Sequence, residues 1–89
     1  MTTTATRLLE RARERLANAN PKNKPPDILV EVDSTELSEI VNATTDVLDG
    51  EAEKARDAFA NGLLQAPGRV LYVRADHVAL LAGMALHGS

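Results

Sequence analysis

The stretch that decides the fold is residues 76–87, DHVALLAGMALH, near the carboxyl end of the sequence. Its alanine and leucine content favours a helix, which Asp76 would cap and Gly88 would end. Its only polar side chains are those of Asp76, His77 and His87, so this predicted helix is apolar around nearly its whole circumference. Such a helix must be covered on several sides, either by the rest of the fold or by a partner.

Two arrangements provide that cover. In the first, the helix is central: one side packs on an amphipathic stripe running from Leu37 to Leu48, and another packs on an N-terminal helix that carries Leu8, Leu9 and Leu16. In the second, the N-terminal helix is held away, and the uncovered face binds a partner or a second copy of the chain. The residues of this hypothetical apolar interface are Val78, Leu80, Leu81 and Met84.

The length and composition predict one domain with an aliphatic core. The sequence has 89 residues, of which 44% are hydrophobic, with one Phe, one Tyr and no Trp. Chains of this length form single domains. Within it we expect a basic N-terminal helix at 1–20, a proline-rich connector at 21–27 and a compact core at 28–89.

The composition also bears on location. The first residues, 1–6, are polar and lack the apolar stretch of a signal peptide. No apolar run reaches the roughly 20 residues that span a membrane. The sequence has no cysteine for the disulfides that small secreted domains use. We therefore expect a cytoplasmic protein with no membrane association.

Hydrophobic periodicity predicts the order α-β-α-α-β-α. Helical spacing of apolar residues covers 3–19, 34–48 and 51–66, and β-branched or continuous apolar runs at 28–32 and 69–74 indicate strands. Asp33 and Glu36 have the spacing of a capping box before the second helix. The prediction is a mainly α fold with at most a small two-stranded sheet, and the alternative is an all-α helical bundle.

The break between the two middle helices is open to a second interpretation. The inward positions keep helical phase across Gly50, and a glycine inside a helix costs only about 1 kcal/mol relative to alanine. One long helix over 34–65 is therefore an alternative to a helical hairpin. We favour the hairpin, because Asp49-Gly50 is a good stop signal and two short helices bury more of their apolar faces against each other.

The charges are unevenly distributed, although the net charge is only −3. Residues 1–24 are basic and residues 27–57 are acidic, so the two blocks can attract each other within a monomer or across a dimer. A basic ridge on the first helix and its connector is one candidate contact for nucleic acid or an acidic partner: Arg7, Arg11, Arg15, Lys22 and Lys24. The simpler interpretation is a solvated helix face whose repulsion the acidic block relieves.

A second candidate is an acidic surface for a basic partner, formed by Glu36, Glu39 and Asp46. Its simpler interpretation is the usual preference for acids near helix starts. His77 and His87 lack metal-ligand spacing. We expect His77 to be exposed in the first turn of the last helix, and His87 to lie favourably in the last turn, near the negative end of the helix dipole. We predict no catalytic residues, no metal site and no cofactor, because the sequence contains no nucleophile elbow and no phosphate-binding loop.

These observations favour a small, non-enzymatic protein that binds other proteins, regulates them and self-associates as a homodimer. One alternative is a nucleic-acid-associated regulator that uses the basic ridge. Another is an acidic inhibitor, of the kind carried by phages or mobile elements, that binds a host protein.

Overall fold

The chain folds in the predicted order α-β-α-α-β-α. The structure is a computed structural model that describes residues 3–24, 27–46, 50–65 and 68–87. The elements are α1 (Thr4–Ala17), β1 (Leu29–Asp33), α2 (Ser34–Ala43), α3 (Gly50–Gln65), β2 (Val70–Arg74) and α4 (Ala75–His87). Residues 70–74 form a strand, so the mainly α prediction with a two-stranded sheet is confirmed and the all-α alternative is wrong.

The two middle helices form a hairpin, and the single long helix is wrong. Helix α2 begins with the predicted capping box: the Asp33 carboxylate accepts from the Thr35 N–H, and the Asp33 N–H donates to Glu36. It ends where the Thr44 hydroxyl donates to the Ile40 carbonyl at 2.8 Å. The Arg56 guanidinium of α3 then donates to the Thr44 carbonyl at 3.0 Å, which joins the two helices.

Three residues of this connection, Val47, Leu48 and Asp49, lie outside the described residues. The helix end predicted at Asp49 and the last residues of the predicted amphipathic stripe, Val47 and Leu48, therefore lie outside the part of the chain that the structure describes. Helix α3 begins at Gly50.

Helix α4 starts one residue earlier than predicted, because strand pairing continues directly into it. The Ala75 N–H donates to the Ile28 carbonyl at 2.9 Å, so β2 runs into α4 without a loop. Asp76 therefore lies in the first turn of α4 and is not the N-cap. Its negative charge still suits the positive end of the helix dipole.

The two strands are antiparallel, with Glu31 opposite Tyr72 at the centre of the register. Alternate side chains point to opposite faces. Val30 and Val32 face the helices and are 4% and 1% exposed. The hydrogen bonds from the Ala75 N–H to Ile28 and from the Ser34 N–H to Arg69 mark the start and the end of the ladder.

The central helix is α4, and α1 is its most extensive neighbour. Leu8 and Ala12 of α1 and Leu81 of α4 are all fully buried in one core. The first of the two arrangements for residues 76–87 is therefore the one observed. The proline-rich connector does not hold α1 away from the fold.

Burial of α4 predicts a clear contrast between two leucines. Replacing Leu81 by alanine should lower the free energy of unfolding by about 2–5 kcal/mol, because a fully buried side chain leaves a cavity. The matched control is Leu64→Ala on α3, where the leucine is 80% exposed and the change should be within about 0.5 kcal/mol. Urea denaturation followed by circular dichroism measures both. Equal losses in the two variants would contradict the central position of α4.

Candidate functional site

One face of the sheet is turned away from the helices, and we call it the outer sheet face. Its residues alternate with the buried ones along each strand: Leu29, Glu31 and Asp33 of β1, and Val70, Tyr72 and Arg74 of β2. Leu29, Val70 and Tyr72 are 42%, 51% and 69% exposed, respectively. Most large exposed hydrophobic side chains among the described residues therefore lie on this one face.

The edge of β1 that points away from β2 is covered by α1. Because Ile28 and Ser34 pair with β2, the intervening odd-numbered residues of β1 point their backbone groups outwards. The Arg11 guanidinium donates to the Glu31 carbonyl at 3.1 Å, and Arg15 Nε donates to the Leu29 carbonyl at 3.0 Å. Two members of the predicted basic ridge thus cap a strand edge.

The described residues leave the opposite edge, that of β2, open. The same alternation turns the backbone N–H and C=O groups of Val70 and Tyr72 away from β1. Within 3–24, 27–46, 50–65 and 68–87, no hydrogen bond reaches these groups from another element. The inward side chains of β2, Leu71 and Val73, are also only half-buried, whereas those of β1 are fully buried. The described residues therefore cover the inward face and the outer edge of β2 less than those of β1.

The rest of the basic ridge is divided between an internal contact and solvent. Arg7 and Arg11 approach the carboxylate of Glu36 at 4.0 and 3.4 Å, respectively. Lys22 and Lys24 lie exposed beyond the end of α1. Pairs of this kind at a surface contribute about 0–1 kcal/mol each, so they add little to the packing that holds α1 in place. The structure brings the three arginines together on one side and leaves the two lysines apart from them.

The three predicted acidic contact residues differ in their exposure and in their contacts. Glu36 is half-buried and occupied by Arg7, Arg11 and its own helix start. Glu39 and Asp46 are exposed. Glu36 is therefore the residue of the acidic block that forms ion pairs with the basic block among the described residues.

The predicted apolar interface on α4 lies mostly inside the protein. Val78 and Leu81 are 1% and 0% exposed and belong to the core, so they have no surface to offer a partner. Leu80 and Met84 are half-buried and pack against that core. The structure therefore divides the four predicted residues between the core and its half-buried margin, and α1, α2 and α3 all contact α4.

Two open grooves flank Tyr72. The larger, about 550 Å³, lies between α1 and β1 and is lined by Arg11, Glu14, Arg15, Asn18, Leu29, Val30, Glu31 and Tyr72. The smaller, about 230 Å³, follows the open edge of β2 and is lined by Leu29, Ala58, Phe59, Gly62, Leu71, Tyr72, Val73, Arg74 and His77. Tyr72 and Leu29 border both, so the aromatic ring stands between a polar groove and an apolar one.

An ion pair and a buried histidine lie at the end of the smaller groove. Arg74 binds the Asp76 carboxylate through both Nε and Nη2, a bidentate contact. Burial opposes ionisation of Asp76, but the hydrogen bonds from Arg74 and from the His77 N–H outweigh it and lower the pKa of Asp76. His77 is 8% exposed, so its predicted exposure is wrong, and its ring meets Phe59 edge-on. Burial, reinforced by Arg74, lowers the pKa of His77.

Two of the notable residues of this surface, Val70 and Tyr72, were missed from the sequence. They belong to a run of four apolar residues, 70–73, which shows no alternation from which to choose a face. The predicted strand itself could have identified them. A strand over 69–74 that places Leu71 and Val73 inwards must place Val70 and Tyr72 outwards.

The described residues contain no group of three or more histidine, cysteine, aspartate or glutamate side chains placed to hold a metal ion. None of the described helices has both the length and the hydropathy needed to cross a membrane. Comparison of the chain with protein-family models, curated proteins and solved structures finds no match.

The buried histidine predicts a pH dependence of stability. Because the pKa of His77 is lower in the fold than its ordinary 6.5, the unfolded chain takes up a proton first as the pH falls. The contribution of neutral His77 is complete above pH 6.5 and is lost progressively below it. We expect His77→Gln to flatten the fall in the free energy of unfolding between about pH 7.5 and 5.5. Urea titrations across this range measure the effect.

The matched control for that prediction is His87→Gln, which changes the exposed histidine in the last turn of the same helix. It should keep the pH dependence of the parent protein. Titration of Asp76 does not interfere with this measurement. Because the pKa of Asp76 is lowered, its contribution to the free energy of unfolding is lost only as the pH falls from 3.8 downwards. A parallel pH dependence in the parent and the His77→Gln variant would contradict the prediction.

Proposed function

We propose that the chain is a non-enzymatic protein–protein interaction protein that binds its partner through the outer sheet face and the open edge of β2. The observation that carries this proposal is the unequal treatment of the two strand edges. Arg11 and Arg15 cover the edge of β1, whereas the backbone groups of Val70 and Tyr72 have no such cover within the described part of the chain. An open edge offers backbone hydrogen bonds to any extended strand.

The side chains around the edge support the same function. Tyr72, Val70 and Leu29 form an apolar patch beside the charged groups of Arg15 and Arg74. Tyrosine is enriched at the centres of protein interfaces, because it buries a large ring while its hydroxyl retains a hydrogen-bond partner. A partner strand along β2 would lie directly beside Val70 and Tyr72.

The grooves support binding in preference to catalysis. The larger groove is open, and its two arginines already donate to carbonyl groups of β1. One wall of the smaller groove includes Ala58 and Gly62 of α3, where a methyl group and a hydrogen atom leave space along the strand. The carboxylate that borders this end of the fold, Asp76, is held by Arg74 and by the first turn of α4.

The proposal predicts that partner binding depends on Tyr72. A tagged parent chain, mixed with untagged chain and with a lysate of its native host, should recover a protein, which is either another host protein or the untagged chain. Tyr72→Asp should lower that recovery at least about tenfold, because it places a charge at the centre of the interface. The control is Leu64→Asp, which changes a leucine on α3 that is even more exposed than Tyr72 and should leave recovery unchanged.

Two outcomes would overturn the proposal. One is that the parent chain recovers neither itself nor any other protein. The other is that Tyr72→Asp recovers its partner as well as Leu64→Asp does. Circular dichroism of both variants confirms that each keeps the helical content of the parent.

A further inference from the structure

We propose that the partner at the open edge is a second copy of the chain, joined by antiparallel pairing of β2 with β2 of that copy. The two-fold axis would pass beside Tyr72, and the product would be a continuous four-stranded sheet with a β1 strand at each outer edge. This inference rests on the proposed function and names the occupant of the same surface.

The outward backbone groups of β2 are self-complementary under such an axis. Val70, Tyr72 and Arg74 all point their N–H groups away from β1. With Tyr72 opposite Tyr72 of the second copy, those two residues exchange a pair of backbone hydrogen bonds. Val70 then lies opposite Arg74 of the second copy, so the Val70 carbonyl can accept from the Arg74 N–H, and symmetry repeats the contact.

The charges at the two ends of β2 are complementary. At one end Arg69 is exposed, and within the described ranges its side chain forms no ion pair. At the other end Arg74 and Asp76 neutralise each other, and exposed Glu51, at the start of α3, adds a negative charge that favours the protonated forms of Arg74 and His77. Antiparallel pairing brings Arg69 of each copy to the Glu51 end of the other.

Arg69 also belongs to the correct side of the sheet for this contact. It shares the parity of Leu71 and Val73, which face the helices, and Glu51 belongs to one of those helices. On the outward side of the pairing, Tyr72 of one copy would lie opposite Tyr72 of the other, and Val70 opposite Arg74. On the inward side each copy supplies both a cation and an anion, so the surface is complementary to itself under a two-fold axis.

The covered edge of β1 favours a closed dimer over an open chain of copies. Arg11 and Arg15 occupy the outward carbonyls of Glu31 and Leu29, and α1 lies against this edge, which opposes growth of the sheet there. Pairing of β2 with itself uses the edge that the described residues leave open on each copy. The assembly then stops at two copies of the 9.6 kDa chain.

Cysteine cross-linking tests the pairing directly, because the sequence contains no cysteine. In the proposed dimer the Tyr72 Cα atoms lie about 5.5 Å apart, within disulfide range. Tyr72→Cys should therefore form a covalent dimer under mild oxidation. The matched control is Glu31→Cys, the cross-strand neighbour on the same face. Its Cα atoms would lie roughly 14 Å apart, three strand spacings, and should cross-link at least about tenfold more slowly.

A charge exchange tests the same geometry without cysteines. Sedimentation equilibrium of the parent chain should give twice the 9.6 kDa monomer mass. Arg69→Glu should weaken dimerisation about tenfold, because two ion pairs per dimer become repulsive. The double variant Arg69→Glu/Glu51→Arg should restore the parent dissociation constant. Failure of the double variant to restore it would overturn the proposed register.

The inference and the proposed function fail in different ways. A chain that stays monomeric at millimolar concentration, or equal cross-linking of the Tyr72→Cys and Glu31→Cys variants, overturns β2 self-pairing. If Tyr72→Asp still abolishes recovery of a different host protein, the proposed function stands with another occupant. Loss of both the dimer and every Tyr72-dependent capture would overturn both.

Discussion

The burial of α4 is the constraint on which the rest of the structure depends. Thirteen residues, Ala75–His87, form a helix with apolar side chains on nearly all sides, and each side needs a neighbour. The helix obtains them from α1, α2, α3 and β2. In so short a chain this uses most of the apolar surface that the other helices can offer. The small sheet is therefore covered on one face only.

The position of α1 follows from the same requirement. Leu8 and Ala12 bring it against α4, and this contact places the arginine side of α1 beside β1. The basic ridge is thus fixed by core packing and not by its own charge interactions. Like charges four residues apart repel on an isolated helix, but here Arg7 and Arg11 share Glu36, and Arg11 and Arg15 bind backbone carbonyls. Arg11 and Arg15 thus satisfy backbone carbonyl groups along the covered edge of β1.

The asymmetry of the sheet connects this packing to function. One strand has its inward side chains buried and its edge capped, while the other has half-buried inward side chains and an open edge. Open edges carry a risk of aggregation, and proteins with such edges usually cover them or pair them. A two-fold pairing of β2 satisfies its backbone groups and covers Tyr72 in the same step. In the proposed dimer, Arg11 and Arg15 would also oppose growth of the sheet at its other edge.

Local sequence signals determined the elements, because caps and periodicity act over a few residues. Asp33 and Glu36 have the spacing of a capping box, and the structure contains it. The alternation of 28–32 and the helical spacing of 34–43 likewise correspond to β1 and α2. The start of α4 was misplaced by one residue, because its first turn depends on pairing between Ala75 and Ile28, which are distant in the sequence.

Only the tertiary structure decided which surfaces remain exposed. The sequence of α4 was compatible with both a central helix and an interface, since the same apolar residues suit either environment. The choice depended on where α1 packs, and the exposure of Tyr72 depended on which side of the sheet the helices cover. The sequence by itself determined the elements, their order and the need to cover residues 76–87. The open edge is a property of the assembled sheet, because the last free backbone groups are known only when every other element has its neighbours.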